Sequence, residues 1–167
     1  MDAIGIDIGR VIIGPTIDGV EDTAFIGRTV QEAMQSPPAP GAFAAIGELM
    51  RRFDGRIWLV SKCGPSVERK TLLWLDHWRF HEQTGLPKSH VRFCRERREK
   101  AEHARELGLT HFIDDRLDVL DAMRGLVPHL LAFGEKTGAV PEWAEHVRDW
   151  DAVSAWFSRT ESDATLR

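Results

Sequence analysis

Short apolar runs at residues 3–6, 57–60, 91–94, 111–113 and 130–133 are each bounded by turn-forming or polar residues and separated by segments of helical period. Runs this short and this continuously apolar read as strands buried on both faces. Between them, Ile46, Leu49, Met50 and Phe53 share one helical face after a start at Pro40 and Gly41. Val67, Thr71, Trp74 and Trp78 share another after Pro65. A third helix is predicted over residues 97–107, ending at Gly108, a residue able to take the left-handed conformation that closes a helix. Buried strands alternating with helices predict an α/β, doubly wound parallel sheet with right-handed crossovers.

A chain of 167 residues is the size of one such domain, expected over residues 1–160. Residues 14–40 depart from the alternation. They hold one short helical segment, at about 23–34, followed by the breaker SPPAPG, and read as a small cap or lid. Residues 161–167 are polar and expected to form a disordered tail. Trp143, Trp150 and Trp156 fall in a C-terminal helical segment and read as packing residues.

Several function classes are disfavoured. A net charge of −4 offers no general attraction to nucleic acid or to an anionic membrane, so neither is expected as a partner. Cys63 and Cys94 are too few for a disulfide framework and lack CxxC spacing, so they read as buried thiols of a reducing compartment. The opening MDAIGIDIG carries neither a basic n-region nor an apolar run of signal length, and a cytoplasmic location is expected. The histidines show no HxH or HExxH spacing, and no GxGxxG or GxxxxGK[ST] follows a strand, which argues against a histidine metal site and against dinucleotide or triphosphate loops.

In open α/β sheets the chemistry collects at the carboxyl ends of the strands. Asp7, Ser61, Asp114 and Asp115 all fall there. Phosphoryl transfer to a carboxylate requires a nucleophile, a divalent cation to shield it, and a cation plus hydroxyl to hold phosphate oxygens. Asp7, between an apolar strand and a glycine turn, is the candidate nucleophile. Asp114 and Asp115 would repel one another unless a cation compensates them, and Mg²⁺ suits such oxygen ligands. One of the pair can cap the helix that follows while the other binds metal, and Asp114 is the expected metal ligand. Ser61 and the backbone N–H groups after it can hold a phosphate oxygen, or Ser61 can cap the helix near Pro65. Lys62 is a second phosphate contact or a surface lysine. Lys100 can reach both the phosphate and Asp7, or it belongs with Arg95, Arg97 and Arg98 to a solvated helix start. Arg10 is a further candidate for substrate binding.

IGIDIGRVII, WLVSKCG, the lysine of REKAEHARELG and FIDDR resemble, in order, the four motifs of the haloacid dehalogenase-like superfamily, spanning residues 3 to 133. The detail is similar to the small cytosolic 5′-nucleotidase-like branch, in which PxPGAxxAI-type text precedes the second motif and IDDR closes the fourth. The resemblance implies a Rossmann-like core of strand order 3-2-1-4-5 and a phospho-aspartyl intermediate on Asp7. It also implies Mg²⁺ held by Asp7, Asp114 and the backbone carbonyl of Gly9. Family phosphatases usually carry Asp-x-Asp in the first motif, the second carboxylate serving as general acid and base, and the matching residue here is Gly9. Loss of such a group typically costs about 10²–10⁴ in rate. Arg10 cannot give up a proton near neutral pH, which leaves Asp18 or Asp22 of the cap as possible substitutes.

These readings together predict a Mg²⁺-dependent phosphomonoester hydrolase acting on a phosphorylated small molecule or nucleotide. Two alternatives stand beside it. A binding or regulatory protein on the same fold follows from Gly9. Dehalogenation through an ester on Asp7 needs no metal, and the acidic IDDR argues against it.

Overall fold

The computed structural model describes residues 1–14 and 26–165, the last five as backbone only. Among these, the strands β1 (Ile4–Ile6), β2 (Ile57–Lys62), β3 (Val91–Cys94), β4 (His111–Asp114), β5 (His129–Phe133) and β6 (Glu145–Val147) form one parallel sheet. Their order is β3-β2-β1-β4-β5-β6. The predicted 3-2-1-4-5 arrangement is present, and β6 extends it by pairing Phe133 with Val147 at the edge. No signal in the sequence marks β6, because EHV is three residues long and exposes two of them.

The strands alternate strictly between two cores. Ile57, Leu59, Ile113, Leu131 and Phe133 face one, whereas Val60, Phe112, Leu130 and Ala132 face the other. Gly5 sits at the centre of the sheet because a Cβ there would lie 2.6 Å from the side chains of Leu109 and Phe112.

The helices are α1 (Val30–Gln35), α2 (Ala42–Arg52), α3 (Pro65–His77), α4 (Phe80–Thr84), α5 (Arg97–Glu106), α6 (Leu117–Asp121) and α7 (Trp150–Thr165). The first core is closed by apolar side chains of α2, α3, α4 and α7, and the second by α5 and α6. The expected helix over residues 97–107 corresponds to α5, with Leu107 as C-cap and Gly108 left-handed at φ 62°. Helix α7 runs on to Thr165, so residues 161–165 are helical where a disordered tail was expected. Trp143 precedes β6 in a turn rather than lying in a helix, and Arg124 stacks over its ring. Among the described residues no helix is long and apolar enough to cross a membrane.

Of the expected cap, residues 15–25, including Asp18 and Asp22, lie outside the described residues. Its returning limb is fastened to the core. Ile13 bridges Pro38, the Gly14 N–H donates to Pro37 O at 2.8 Å, and the Ala39 N–H donates to Ile12 O at 2.7 Å. From α3, the Trp74 indole donates to Ser36 O at 2.7 Å and the buried Lys70 ammonium donates to Gly27 O at 2.6 Å. Helix α1 starts at Val30, later than the predicted 23, because Thr29 and Glu32 form a reciprocal capping box there.

Candidate active site

Three elements deliver charged side chains to one point. β1 and β4 are hydrogen-bonded neighbours, so Asp7, just past one, and Asp114, ending the other, emerge side by side. The Asp7 N–H donates to Ile113 O at 2.9 Å, which fixes the exit of β1 against β4. The third element is α5, a polar helix that buries only Lys100 and Ala104, one turn apart. Its start is set by a capping box between Glu96 and Glu99.

The Lys100 ammonium donates to Asp7 Oδ1 at 2.8 Å and to Asp114 Oδ2 at 2.8 Å, with its own side chain only 3% exposed. The other Asp114 oxygen accepts the Arg116 N–H at 2.9 Å. Asp114 is therefore fully buried with both oxygens engaged by the protein. Asp115, whose carboxyl also meets those of Asp7 and Asp114, lines an open cleft together with Asp7, Gly9, Arg10, Ser61, Lys62, Arg97, Lys100 and Arg116. The cavity has a volume of about 130 Å³.

The electrostatics follow from this burial. Desolvation pushes Asp7 up to about 6, against the lowering influence of Lys100. It raises Asp114 and Asp115 to about 6 as well, aided by their charged neighbours. Burial disfavours the Lys100 charge, but Asp7 and Asp114 outweigh it and raise its pKa. Oxygen atoms of Asp7, Asp114 and Asp115 lie within 4.8 Å of one another. Three mutually repelling carboxylates beside one cleft are a hard-oxygen donor set, which could hold a divalent cation.

Apart from Asp18 and Asp22, which lie outside the described residues, each site residue singled out from the sequence is placed. Asp7, Gly9, Arg10, Ser61, Lys62, Lys100 and Asp115 all line the cleft, while Asp114 stands behind Lys100. Ser61 is buried in β2, which continues one residue beyond it through Lys62. Arg10 occupies a left-handed backbone conformation at φ 63°, so the chain turns sharply immediately after Gly9. Both cysteines are free and buried, and burial raises each thiol to about 11.

Two contributors, Lys136 and Arg116, were not foreseen, and a third, Arg97, reads from the sequence only as part of the basic cluster at the start of the helix. The Lys136 ammonium, from the loop after β5, donates to Asp115 O at 2.9 Å and to Phe133 O, so it braces the main chain that presents Asp115. Arg97 and Arg116 reach the cleft wall, and both bond Asp118. The only sequence signal for the latter pair is the clustering of arginines near α5 and after IDD.

No family model matches this chain, and no curated protein matches it in sequence. In structure it is similar to a haloacid dehalogenase-like family hydrolase from Xanthomonas campestris, at a TM-score of 0.60 and 10% identity. The match covers 100% of this chain and 99% of that one. The chain therefore has the haloacid dehalogenase-like fold, in agreement with the resemblance read from its motifs.

Proposed function

We propose that this chain is a phosphomonoester hydrolase working through Asp7. The observation that carries the reading is Lys100, buried between Asp7 and Asp114 at the carboxyl ends of adjacent strands, with Asp115 facing the same cleft. A buried ammonium holds the Asp7 carboxylate in one orientation and keeps it ionised near neutral pH despite desolvation. Asp7 Oδ attacks phosphorus, the P–O bond to the alcohol breaks, and an aspartyl phosphate forms. Water then attacks phosphorus, the bond to Asp7 breaks, and phosphate leaves. Ser61 and Lys62 hold phosphate oxygens, as does Lys100 as charge builds.

A divalent cation, held by Asp7, Asp115 and the Gly9 carbonyl, would screen the phosphate from the nucleophile. Asp115 is preferred to Asp114 as its direct ligand because Asp115 lines the cleft whereas Asp114 is fully buried behind it. Mg²⁺ is the cation of this reading. Free Cys63 and Cys94 fit a reducing, cytoplasmic setting.

Gly9 offers no carboxyl, so among the described residues the leaving alcohol draws its proton from water in the open cleft. The enzyme then favours esters of acidic alcohols. Gly9→Asp is expected to raise the rate on alkyl phosphates by about 10²-fold. The founding test is steady-state hydrolysis of aryl phosphates with Mg²⁺ and with EDTA. Turnover that needs the metal supports the proposal, and turnover that survives chelation contradicts it. Gly9 also favours a second reading, a phosphate-binding protein without turnover, which predicts Mg²⁺ binding by calorimetry and no hydrolysis of any ester.

A further inference from the structure

β2 ends at Lys62 and α3 begins at Pro65, so Cys63 and Gly64 form the turn between them, and both line the cleft. Main-chain polar groups beside a cleft need partners, and those of the turn can be followed one by one. The Cys63 N–H donates to Cys94 O at 3.0 Å, and the Gly64 carbonyl accepts the Glu68 N–H at 3.0 Å, which opens α3. The Cys63 carbonyl accepts from Arg95 Nη1 at 2.7 Å. That leaves the Gly64 N–H, which has no acceptor among the described residues.

Arg95 stands between β3 and α5, outside the residues that line the cleft. Its N–H donates to Glu99 Oε2 at 2.8 Å, beside the capping box that starts α5, and its Nη2 donates to Glu68 Oε2 at 2.5 Å. Main chain and guanidinium are therefore both held. The Cys63–Gly64 peptide is trans, so its C=O and N–H point in opposite directions. A carbonyl turned out to Arg95 turns the Gly64 N–H the other way. The local chain does not impose this plane. Gly64 has φ −79°, and a glycine would accept the positive φ of the flipped peptide at little cost. The flipped peptide would aim a carbonyl oxygen at a bound anion.

We propose that Arg95 is a positioning residue: its guanidinium holds the Cys63 carbonyl so that the Gly64 N–H faces the cleft and donates to an oxygen of the bound phosphate. This rests on the reading of the Asp7 cleft as a phosphate site. An N–H already aimed at the anion needs no reorientation on binding, and its hydrogen bond to a charged oxygen is of the strong kind.

Cys63–Gly64 is the only Cys-Gly step in the sequence. Carbonyl-¹³C cysteine together with ¹⁵N glycine therefore labels one peptide bond of the intact protein and isolates the Gly64 amide by NMR. Inorganic phosphate is titrated in the presence of Mg²⁺. In the wild type the Gly64 proton is expected to move downfield as phosphate saturates. In Arg95→Met that shift is expected to be lost and phosphate to bind about 10–100-fold more weakly, the loss of one hydrogen bond to a charged group. Glu68→Gln removes the acid but leaves Arg95 on the carbonyl, and is expected to keep the shift and an affinity within about threefold of wild type. A Gly64 proton that phosphate leaves unmoved in the wild type overturns the proposal, as does a shift that survives in Arg95→Met. Equal losses in Arg95→Met and Glu68→Gln also overturn it, because they assign Arg95 to the anchoring of α3. Hydrolysis of aryl phosphates is read separately. Metal-dependent turnover without a Gly64 shift removes only the role of Arg95, whereas the shift without turnover removes only the hydrolase reading.

Discussion

His111 opens β4 and Asp114 closes it, and the two ends of this strand bury ionisable groups in opposite ways. At the carboxyl end, Asp114 and Asp7 keep company with Lys100, and the charges are compensated by one another and open onto a cleft. At the amino end, His111 stacks on His129 and is edged by Phe53, Trp156 and Phe157. Burial, with His129 beside it, lowers its pKa to about 4 against the weaker pull of Asp2, and it stays neutral. One end of the sheet therefore retains charge at a cost in desolvation, and the other gives charge up to close the core. Chemistry belongs to the first because only there is a charged group both fixed and reachable.

The comparison breaks most visibly at Lys100. Lys100→Met leaves two buried carboxylates without their cation, which is expected to cost about 3–5 kcal/mol in denaturant unfolding. The same change is expected to lower hydrolysis by about 10²–10³-fold. The equivalent replacement at the other end, His111→Phe, removes no charge at neutral pH and is expected to leave hydrolysis within about twofold of wild type, since it lies a full strand away from the cleft.

Acid sharpens the contrast. Below its ordinary 6.5 the unfolded chain protonates His111, while the folded protein refuses that proton until about pH 4, so stability falls as pH drops through this window. The carboxylates act with the opposite sign. Folded Asp7 and Asp115 hold protons up to about 6 that an unfolded chain releases near 3.8, so across that interval the metal-free protein loses stability as pH rises. The two slopes oppose each other in the wild type. In His111→Phe only the carboxylate slope remains, and the variant is expected to gain about 1–2 kcal/mol over wild type on moving from pH 7 to pH 5, read by urea melts in EDTA.

The smallest effect is expected at Lys136, which touches the site only through the backbone carbonyl of Asp115. Lys136→Met should raise the Mg²⁺ concentration for half-maximal hydrolysis by roughly 3- to 10-fold, with kcat at saturating metal little changed.

The contrast between the ends also shows what could be read from the chain. The acidic end is legible because strands that finish in Asp, Ser or Asp-Asp expose a carboxyl-end chemistry that parallel topology gathers by itself. IGID, IWLVS and HFIDD carry that signal without help from long-range contacts. Which of Asp114 and Asp115 lines the cleft is not legible, since both carboxyls gather beside Asp7 and the burial of Asp114 depends on Lys100 arriving from α5. The neutral end is silent for a related reason. His111 reads as an ordinary polar residue at a strand start, and its burial depends on Trp156 and Phe157 arriving from α7, more than forty residues later. Lys136 and the Arg97–Asp118–Arg116 arrangement are hidden likewise, because each joins side chains or carbonyls from separate elements. Strand β6 escaped because two of its three residues are exposed and it lies at the sheet edge.

The central claim is that Asp7 takes the phosphoryl group. The most direct measurement is a rapid acid quench during turnover of a ³²P-labelled aryl phosphate with Mg²⁺, followed by peptide mapping. Hydroxylamine-labile label on the peptide carrying Asp7, absent in Asp7→Asn, is the predicted result. Product formation with no protein-bound label at any quench time, or with undiminished rate in Asp7→Asn, would contradict it.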